Sequence, residues 1–394
     1  MSAGLEALRA EVAAWMAARL TGRFAPLVDR GHAGDGDALP ELRKEWERTL
    51  AEGGWSCVGW PKEHGGRGFS IAEQVAFQEE YARAGGPGRL GHIGEGLVGP
   101  TLIAFGDDAQ KTRFLPAIRD GLVFWSQGFS EPDAGSDLAN IRTRARRDPA
   151  TGDWLVSGQK VWTSLAHLSD WIFVLARCDE HSAGPKGLIF LLMPLAQPGV
   201  EIRPIRQIGG EAEFNAVFFD DARAGADCVV GAPGDGWRVA MALLGFERGV
   251  STLGQQMGFA RELDMIIALA RENGPARDPA IRLRVARAWA GLRAMRAMAM
   301  RMLADEPDAD ARLEALGYKY HWSNWHRDLG RLGMDVAGLS GAIGGENDPR
   351  IEKLRKLFFF TRADTIYGGT NEIQLNIIAE RGLGMPKEPR GSAG

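Results

Sequence analysis

The stretch SEPDAGSD, Ser130 to Asp137, is the first place in this chain where residue types and spacing suggest chemistry. Ser130, Ser136 and Asp137 offer side-chain hydrogen bonds, and Gly135 lets a ligand come close to backbone N–H groups, which suits phosphate or another many-acceptor ligand. A plain polar turn has the same composition. Further on, Trp162 and Ser164 in SGQKVWTSLA alternate along an extended stretch, so both side chains are expected on one face. An aromatic face beside a hydroxyl can hold a flat heteroaromatic ring by stacking below it and bonding its edge; one more inward-facing tryptophan is the alternative. Near the C-terminus, IYGGTNE puts Thr370 or Asn371 at the start of a helical pattern. Helix starts attract anions through free N–H groups and the macrodipole.

Other patterns carry less. Gly94-Glu95-Gly96-Leu97-Val98-Gly99 spells GxGxxG, but no strand precedes it and no βαβ unit surrounds it, so a loop is expected there. His321 and His326 stand five apart in a helical stretch, off a common face, and a structural or surface place is expected for all seven histidines. Cys57, Cys178 and Cys228 are widely spaced, odd in number and without a CxxC pair, which speaks against a disulfide framework or zinc site and for a reducing cytoplasm.

These residues need elements to position them, and 394 residues allow two or three domains. From residue 4 to about 120, apolar residues recur at helical spacing, as in ELRKEWERTLAEGGW and SIAEQVAFQEEYARAGG. After Gly121 the runs become short, β-branched and aromatic: WLVSGQKVWTS, WIFVLARCD, GLIFLLMPL, VEIRPIRQI and FNAVFFDDARA. Long helical patterns return from GDGWRVAMALLGFERGV to about Arg381. The expected fold is therefore multidomain α+β: an all-helical domain at 1–122, a β domain at 123–232, a helical bundle at 233–384 and a frayed tail at 385–394. The charge balance, 47 basic against 51 acidic residues with no long single-sign block, argues against a nucleic-acid partner. No signal-peptide pattern opens the chain, and LIFLLMPL is far too short to span a bilayer, so no membrane partner is expected.

Four stretches in order, WPKEHGGRG (60–68), SEPDAGSD (130–137), GQKVWTS (158–164) and YGGTNEIQLNIIAERGLG (367–384), resemble the signatures of the flavin-dependent acyl-CoA dehydrogenase family. The resemblance spans essentially the whole chain. It implies the family's helical, β-barrel-like and helical-bundle domains, non-covalent FAD, oxidation of an acyl-CoA thioester to its trans-2-enoyl form, and electrons passed to an electron-transfer flavoprotein-type acceptor. Carried over by position, Gln127, Phe129 and Ser130 would line the pyrimidine side of the flavin. Ser136 would meet the pyrophosphate or pantetheine region, Trp162 would pack on the isoalloxazine, and Ser164 would bond near N5, where the family usually has threonine. Gly369, Thr370 and Glu372 match the stretch that approaches the cofactor's phosphates and ribose. Arg248 and Tyr367 fall among the substrate-binding positions.

The commonest family pattern places its catalytic glutamate after the tyrosine, where this chain has Gly368. A sub-pattern places it on the helix opening the last domain, before an arginine, and GFERGVSTLGQ supplies Glu247-Arg248 there. The plain reading of such a pair is an exposed helix carboxylate beside its arginine; the vacancy at 368 turns the choice toward Glu247 as base. In the family, the N–H of the residue after the tyrosine polarises the thioester oxygen, a contact Gly368 keeps. Family homotetramers usually carry Arg-x-x-Phe-Gly and Gln-x-x-Gly-Gly stretches that reach a twin's FAD. Here ARENGPARDPAIR lacks the first, and Asp335 replaces the glutamine. An aspartate facing pyrophosphate is repulsive. The expectation is an α2β2 heterotetramer with a related subunit, with a homo-oligomer as the alternative. GHIGEGLVGPTLIAFG, KVWTSLAHLSDW and GAPGDGWRVAMALLGFERGVSTLGQQ resemble actinobacterial steroid-catabolic members, which implies a bulky, ring-bearing or branched acyl group such as a steroid-derived propionyl-CoA. Competing readings are a flavin oxidase or monooxygenase on the same fold, told apart by oxygen consumption, and a non-catalytic partner subunit, favoured by Gly368 and opposed by Glu247.

Overall fold

The computed structural model describes residues 3–32, 34–247, 251–302, 309–343 and 348–387, and the side chains of 3, 247, 251–254 and 309–312 lie outside that description. The chain divides into two compact units, Met1–Ser251 and Thr252–Gly394.

The first unit opens with five helices: α1 (Ala3–Arg19), α2 (Pro40–Glu52), α3 (Ile71–Arg83), α4 (Gly99–Phe105) and α5 (Asp108–Arg119). Local chemistry sets two of the starts. Ser70 accepts from the Glu73 N–H while the Glu73 carboxylate accepts from the Ser70 N–H, and Asp107 and Gln110 repeat this box at α5. Val12, Met16, Trp46, Leu50, Trp55 and Phe77 close one apolar cluster between α1, α2 and α3. The GEGLVG stretch is not the expected loop: Gly94–Val98 forms a π-helical turn that runs into α4. Its glycine has a packing reason. A Cβ at Gly99 would lie 1.9 Å from the Trp60 ring, and the Trp60 Nε1–H donates to the Glu95 carbonyl at 2.8 Å.

Seven strands follow: β1 (Trp125–Gly128), β2 (Arg144–Arg147), β3 (Trp154–Ser164), β4 (Trp171–Arg177), β5 (Leu188–Pro194), β6 (Val200–Ile205) and β7 (Phe214–Ala224). They form one sheet in the order β1-β4-β2-β3-β7-β6, with β5 paired to β4. Among the described residues no ladder joins β6 to β5 or β1, so the sheet curls without closing. The continuous apolar runs of β4 and β5 have a simple cause. Phe173, Leu175, Phe190 and Leu192 enter one core, while Ile172, Val174, Ile189 and Leu191 enter the core on the opposite face. With both faces covered, the alternation loses its polar half. Helix α6 (Gly236–Glu247) completes this unit, burying Val239, Ala240 and Leu243 in the same cluster as Leu188 and Phe190. The helical bundle expected from 233 onward begins with this helix, which lies within the first compact unit.

The second unit contains α7 (Ser251–Glu272), α8 (Pro279–Met302), α9 (Ala309–Ala337), α10 (Leu339–Ile343), α11 (Pro349–Phe360) and α12 (Asn371–Ile377). Leu263, Ile266 and Leu269 of α7, Leu329, Leu332 and Val336 of α9, and Ile351, Leu354 and Leu357 of α11 recur every three or four residues and share one core. The helical, β, helical order expected from the sequence is the order found. Among the described residues no helix is long and apolar enough to cross a membrane.

Candidate functional site

In the first unit, the expected cofactor residues gather around the end of β3. Residues Lys160 to Thr163 contain a bulge against β7, and Trp162 adopts φ +59°, left-handed for a residue with a bulky side chain. Strict alternation therefore fails there, yet Trp162 and Ser164 still flank the buried Thr163. The Trp162 indole is 59% exposed, edge-on to Phe214 with centroids 6.2 Å apart, and Phe214 is the register partner of Ser164. An open indole on a strand with buried neighbours, held in a costly backbone conformation, fits a flat ring that covers it. The inward-facing alternative for Trp162 does not apply.

The loop that should border this ring is anchored from beneath. Gln127, inside β1, is half-buried, and the Phe129 ring packs on Phe173 and Phe190 in the core, leaving only its backbone for a ligand. The Ser130 carbonyl accepts from the Val161 N–H at 2.9 Å, which ties the loop to β3 just before the bulge. Ser136 is exposed, and no protein atom lies within 4 Å of where a Gly135 Cβ would stand, so a ligand can approach that backbone. The anchor is an ion pair the sequence reading missed. Fully buried Lys160 meets Glu131 at 2.8 Å and donates to the Phe129 carbonyl at 2.9 Å; Glu131 also accepts from the N–H groups of Arg142 and Thr143 at 2.6 and 2.9 Å. Burial pulls the Lys160 ammonium down to about 8 despite Glu131. Burial alone would raise the Glu131 carboxyl, but Lys160 and the two backbone donors hold it below the usual range.

Helix α6 runs to Glu247, whose side chain lies outside the described residues, as does Arg248.

In the second unit, the YGGT stretch forms a tight loop ahead of α12. Gly368 and Gly369 both take left-handed φ, +63° and +89°. A Cβ on Gly368 would face open space, with Lys319 Cε nearest at 3.9 Å, whereas one on Gly369 would strike Gln374. Thr370 caps α12 as expected, its hydroxyl accepting from the Ile373 N–H at 3.2 Å, and Glu372 sits in the first turn. The Gly368 carbonyl accepts from Gln374, while no described residue accepts from its N–H. Tyr367 donates its hydroxyl to Asp364 at 2.8 Å and is 41% exposed. Asp335 is ion-paired within the chain, to Arg284 of α8 at 2.5 Å.

Beneath this loop, His326 is buried between the carboxylates of Glu262 and Asp364, each 2.7 Å from one ring nitrogen. Burial opposes its charge, but the two carboxylates outweigh it and lift the imidazole to about 9. The charged groups acting on it are Glu262 from α7 and Asp364 from the segment after α11; Asp364 in turn meets Tyr367 and Lys319, whose ammonium burial brings down to about 8. Because the folded value lies above the unfolded 6.5, this contribution is complete below pH 6.5 and lost as pH rises through about 9. It amounts to about 3 kcal/mol. Denaturant unfolding across that window should therefore fall more steeply for the wild type than for His326→Gln; parallel curves would remove the charge assignment. Only the fold joins Glu262, His326 and Asp364; in the sequence His326 was one more histidine with a structural or surface place expected.

The fold is that of a flavoprotein oxidoreductase, and the chain belongs to the acyl-CoA dehydrogenase family. Family models match along its length: the acyl-CoA dehydrogenase N-terminal domain at residues 2–121, the middle domain at 126–222 and the C-terminal domain at 234–383. It is an FAD-dependent acyl-CoA dehydrogenase. Among known proteins it is 56% identical to acyl-CoA dehydrogenase IpdE1 of Mycobacterium tuberculosis, over 98% of this chain and 99% of that one. Its structure resembles the Tcur3481-Tcur3483 steroid ACAD with TM-score 0.85 and 31% identity, covering 98% of this chain and 99% of the other. It also resembles the ChsE4-ChsE5 complex of Mycobacterium tuberculosis with TM-score 0.82 and 28% identity, again over 98% and 99%.

Proposed function

We propose that this enzyme forms the trans-2-enoyl thioester of a bulky, ring-bearing or branched acyl-CoA, such as a steroid-derived propionyl-CoA. The carrying observation is the loop at Gly368: no side chain where the common family pattern has its base, and an N–H that no described residue engages. In this reading Glu247 takes the α-proton and the Gly368 N–H donates to the thioester oxygen as enolate charge develops. Bound FAD supplies the acceptor for the hydride leaving the β-carbon. Gln127, Phe129 and Ser130 line its pyrimidine edge, Trp162 covers its ring and Ser164 bonds near N5. Ser136 meets pyrophosphate or pantetheine, Gly369, Thr370 and Glu372 approach phosphate and ribose, and Arg248 and Tyr367 contact substrate. The missing bulk at 368 leaves room beside the α-carbon, and two of the similar structures are a steroid ACAD and a two-protein complex.

An electron-transfer flavoprotein-type protein accepts the electrons, and a related subunit completes an α2β2 assembly. Asp335 supports that assembly, because it replaces the glutamine that would reach a twin's FAD and is engaged by Arg284 of its own chain. The test is anaerobic flavin bleaching by octanoyl-CoA and 3-cyclohexylpropionyl-CoA. The ring-bearing probe should react at least about tenfold faster, a normal pocket discrimination. Preference for octanoyl-CoA would sink the substrate reading, rapid oxygen uptake in air would favour an oxidase, and full FAD content in the chain expressed alone would argue against the heteromer.

A further inference from the structure

The buried charges beneath the glycine loop take no part in the proposed chemistry, yet they converge on it. His326 on α9 is 2% exposed and Asp364, three residues before Tyr367, is fully buried. A neutral imidazole carries one N–H and would present a lone pair to one of its two carboxylates. With Asp364 at Nδ1 and Glu262 at Nε2, both at 2.7 Å, the ring carries both protons and donates on both sides. Each of the three Asp364 oxygens accepts a hydrogen bond. One carboxylate oxygen takes His326, the other takes the Tyr367 hydroxyl at 2.8 Å, and its backbone carbonyl takes the Lys319 ammonium at 2.6 Å. The Phe259 ring lies against the imidazole with centroids 4.0 Å apart. The loop is thus tied through one residue to α9 twice and, by way of the imidazole, to α7. Its far end is tied as well, with Asn371 accepting from Ser323 of α9 at 3.1 Å.

We propose that His326 is a positioning residue: as an imidazolium clamped between Glu262 and Asp364, it fixes Tyr367 and so aims the Gly368 N–H at the thioester oxygen. The proposal rests on the reading of Gly368 as that donor. Two linked left-handed glycines have wide conformational freedom, so their N–H direction is set by what holds their flanks. Preorganised donors act only when already aimed at the developing charge. A staple that merely stabilises the bundle would change unfolding but not the bond made to a bound thioester.

The experiment measures that bond. The isotope-labelled carbonyl of 3-cyclohexylpropionyl-CoA is followed by infrared difference spectroscopy on reduced, FAD-loaded enzyme, where turnover cannot occur. Wild type should lower the carbonyl stretch relative to free thioester. His326→Gln, Tyr367→Phe and Gly368→Ala should each lose part of that downshift. Under turnover, the first two should lower kcat about tenfold with KM within about twofold. A downshift lost in Gly368→Ala but intact in His326→Gln and Tyr367→Phe overturns the positioning role and leaves Gly368 as donor. A downshift intact in all three overturns the positioning role, and a wild type that shows no downshift removes the Gly368 reading, and the proposal with it. Loss in His326→Gln with Tyr367→Phe unchanged overturns the route through Tyr367. If His326→Gln does not fold, Asp364→Asn and Tyr367→Phe break the same chain elsewhere and decide it.

Discussion

In Glu247→Gln, exchange of the substrate's α-protons with deuterated solvent falls to background while FAD stays bound. The α-proton of a thioester needs a base within reach, and a positioned carboxylate contributes on the order of 10²–10⁴ to such a transfer. The amide keeps the size of the side chain but cannot take the proton. Gly368 has no side chain to substitute. A partial rescue tests the same point. A Cβ at 368 meets no close atom, but φ of +63° strains a glutamate there by about 1–2 kcal/mol. Glu247→Gln/Gly368→Glu should therefore regain a fraction of the exchange. Wild-type exchange in the single variant would sink the base assignment and leave Glu247 as a helix-end carboxylate.

Lys160→Met should strip the protein of FAD and cost about 3–5 kcal/mol of stability, the usual price of leaving one half of a buried ion pair alone. The Glu131 carboxylate would keep the N–H groups of Arg142 and Thr143 but lose its counter-charge while 7% exposed, and the Phe129 carbonyl would lose its donor. Both losses fall on the loop carrying Phe129 and Ser130, so flavin occupancy should drop along with the unfolding midpoint. Lys160→Met/Glu131→Leu removes both charges and should recover much of the stability, as apolar replacement of buried pairs often does. It should not recover flavin, because the Phe129 carbonyl stays untied. The flavin-to-protein ratio and a denaturant titration read the two effects separately. A Lys160→Met protein with wild-type flavin content would show that the pair holds the sheet and not the cofactor loop.

The legible parts of this molecule were those written in neighbouring residues. All five β-rich runs named from composition became strands, with WLVSGQKVWTS matching β3 end to end, because β-branched and aromatic residues bounded by glycine, proline and aspartate mark strands locally. Thr370 capped its helix for the same kind of reason: a cap is a contact across three residues. GxGxxG misled because its glycine answers to Trp60, 39 residues earlier in the chain. The bulge that opens Trp162 depends on β7, some 50 residues later in the chain, and no alternation rule could supply it.

By itself, then, the sequence determined the order of domains, the family's ordered motifs and the absence of a carboxylate at 368, since each is carried by residue identity and short spacing. Only the tertiary structure decided that Lys160 and Glu131 pair beneath the loop carrying Phe129 and Ser130, that no described residue accepts from the Gly368 N–H, and that His326 sits between two carboxylates. A buried ion pair and an imidazolium are stable only where distant carboxylates and amides converge in a place without water. Residues 29 and 38 positions apart meet there because helices and strands bring them together.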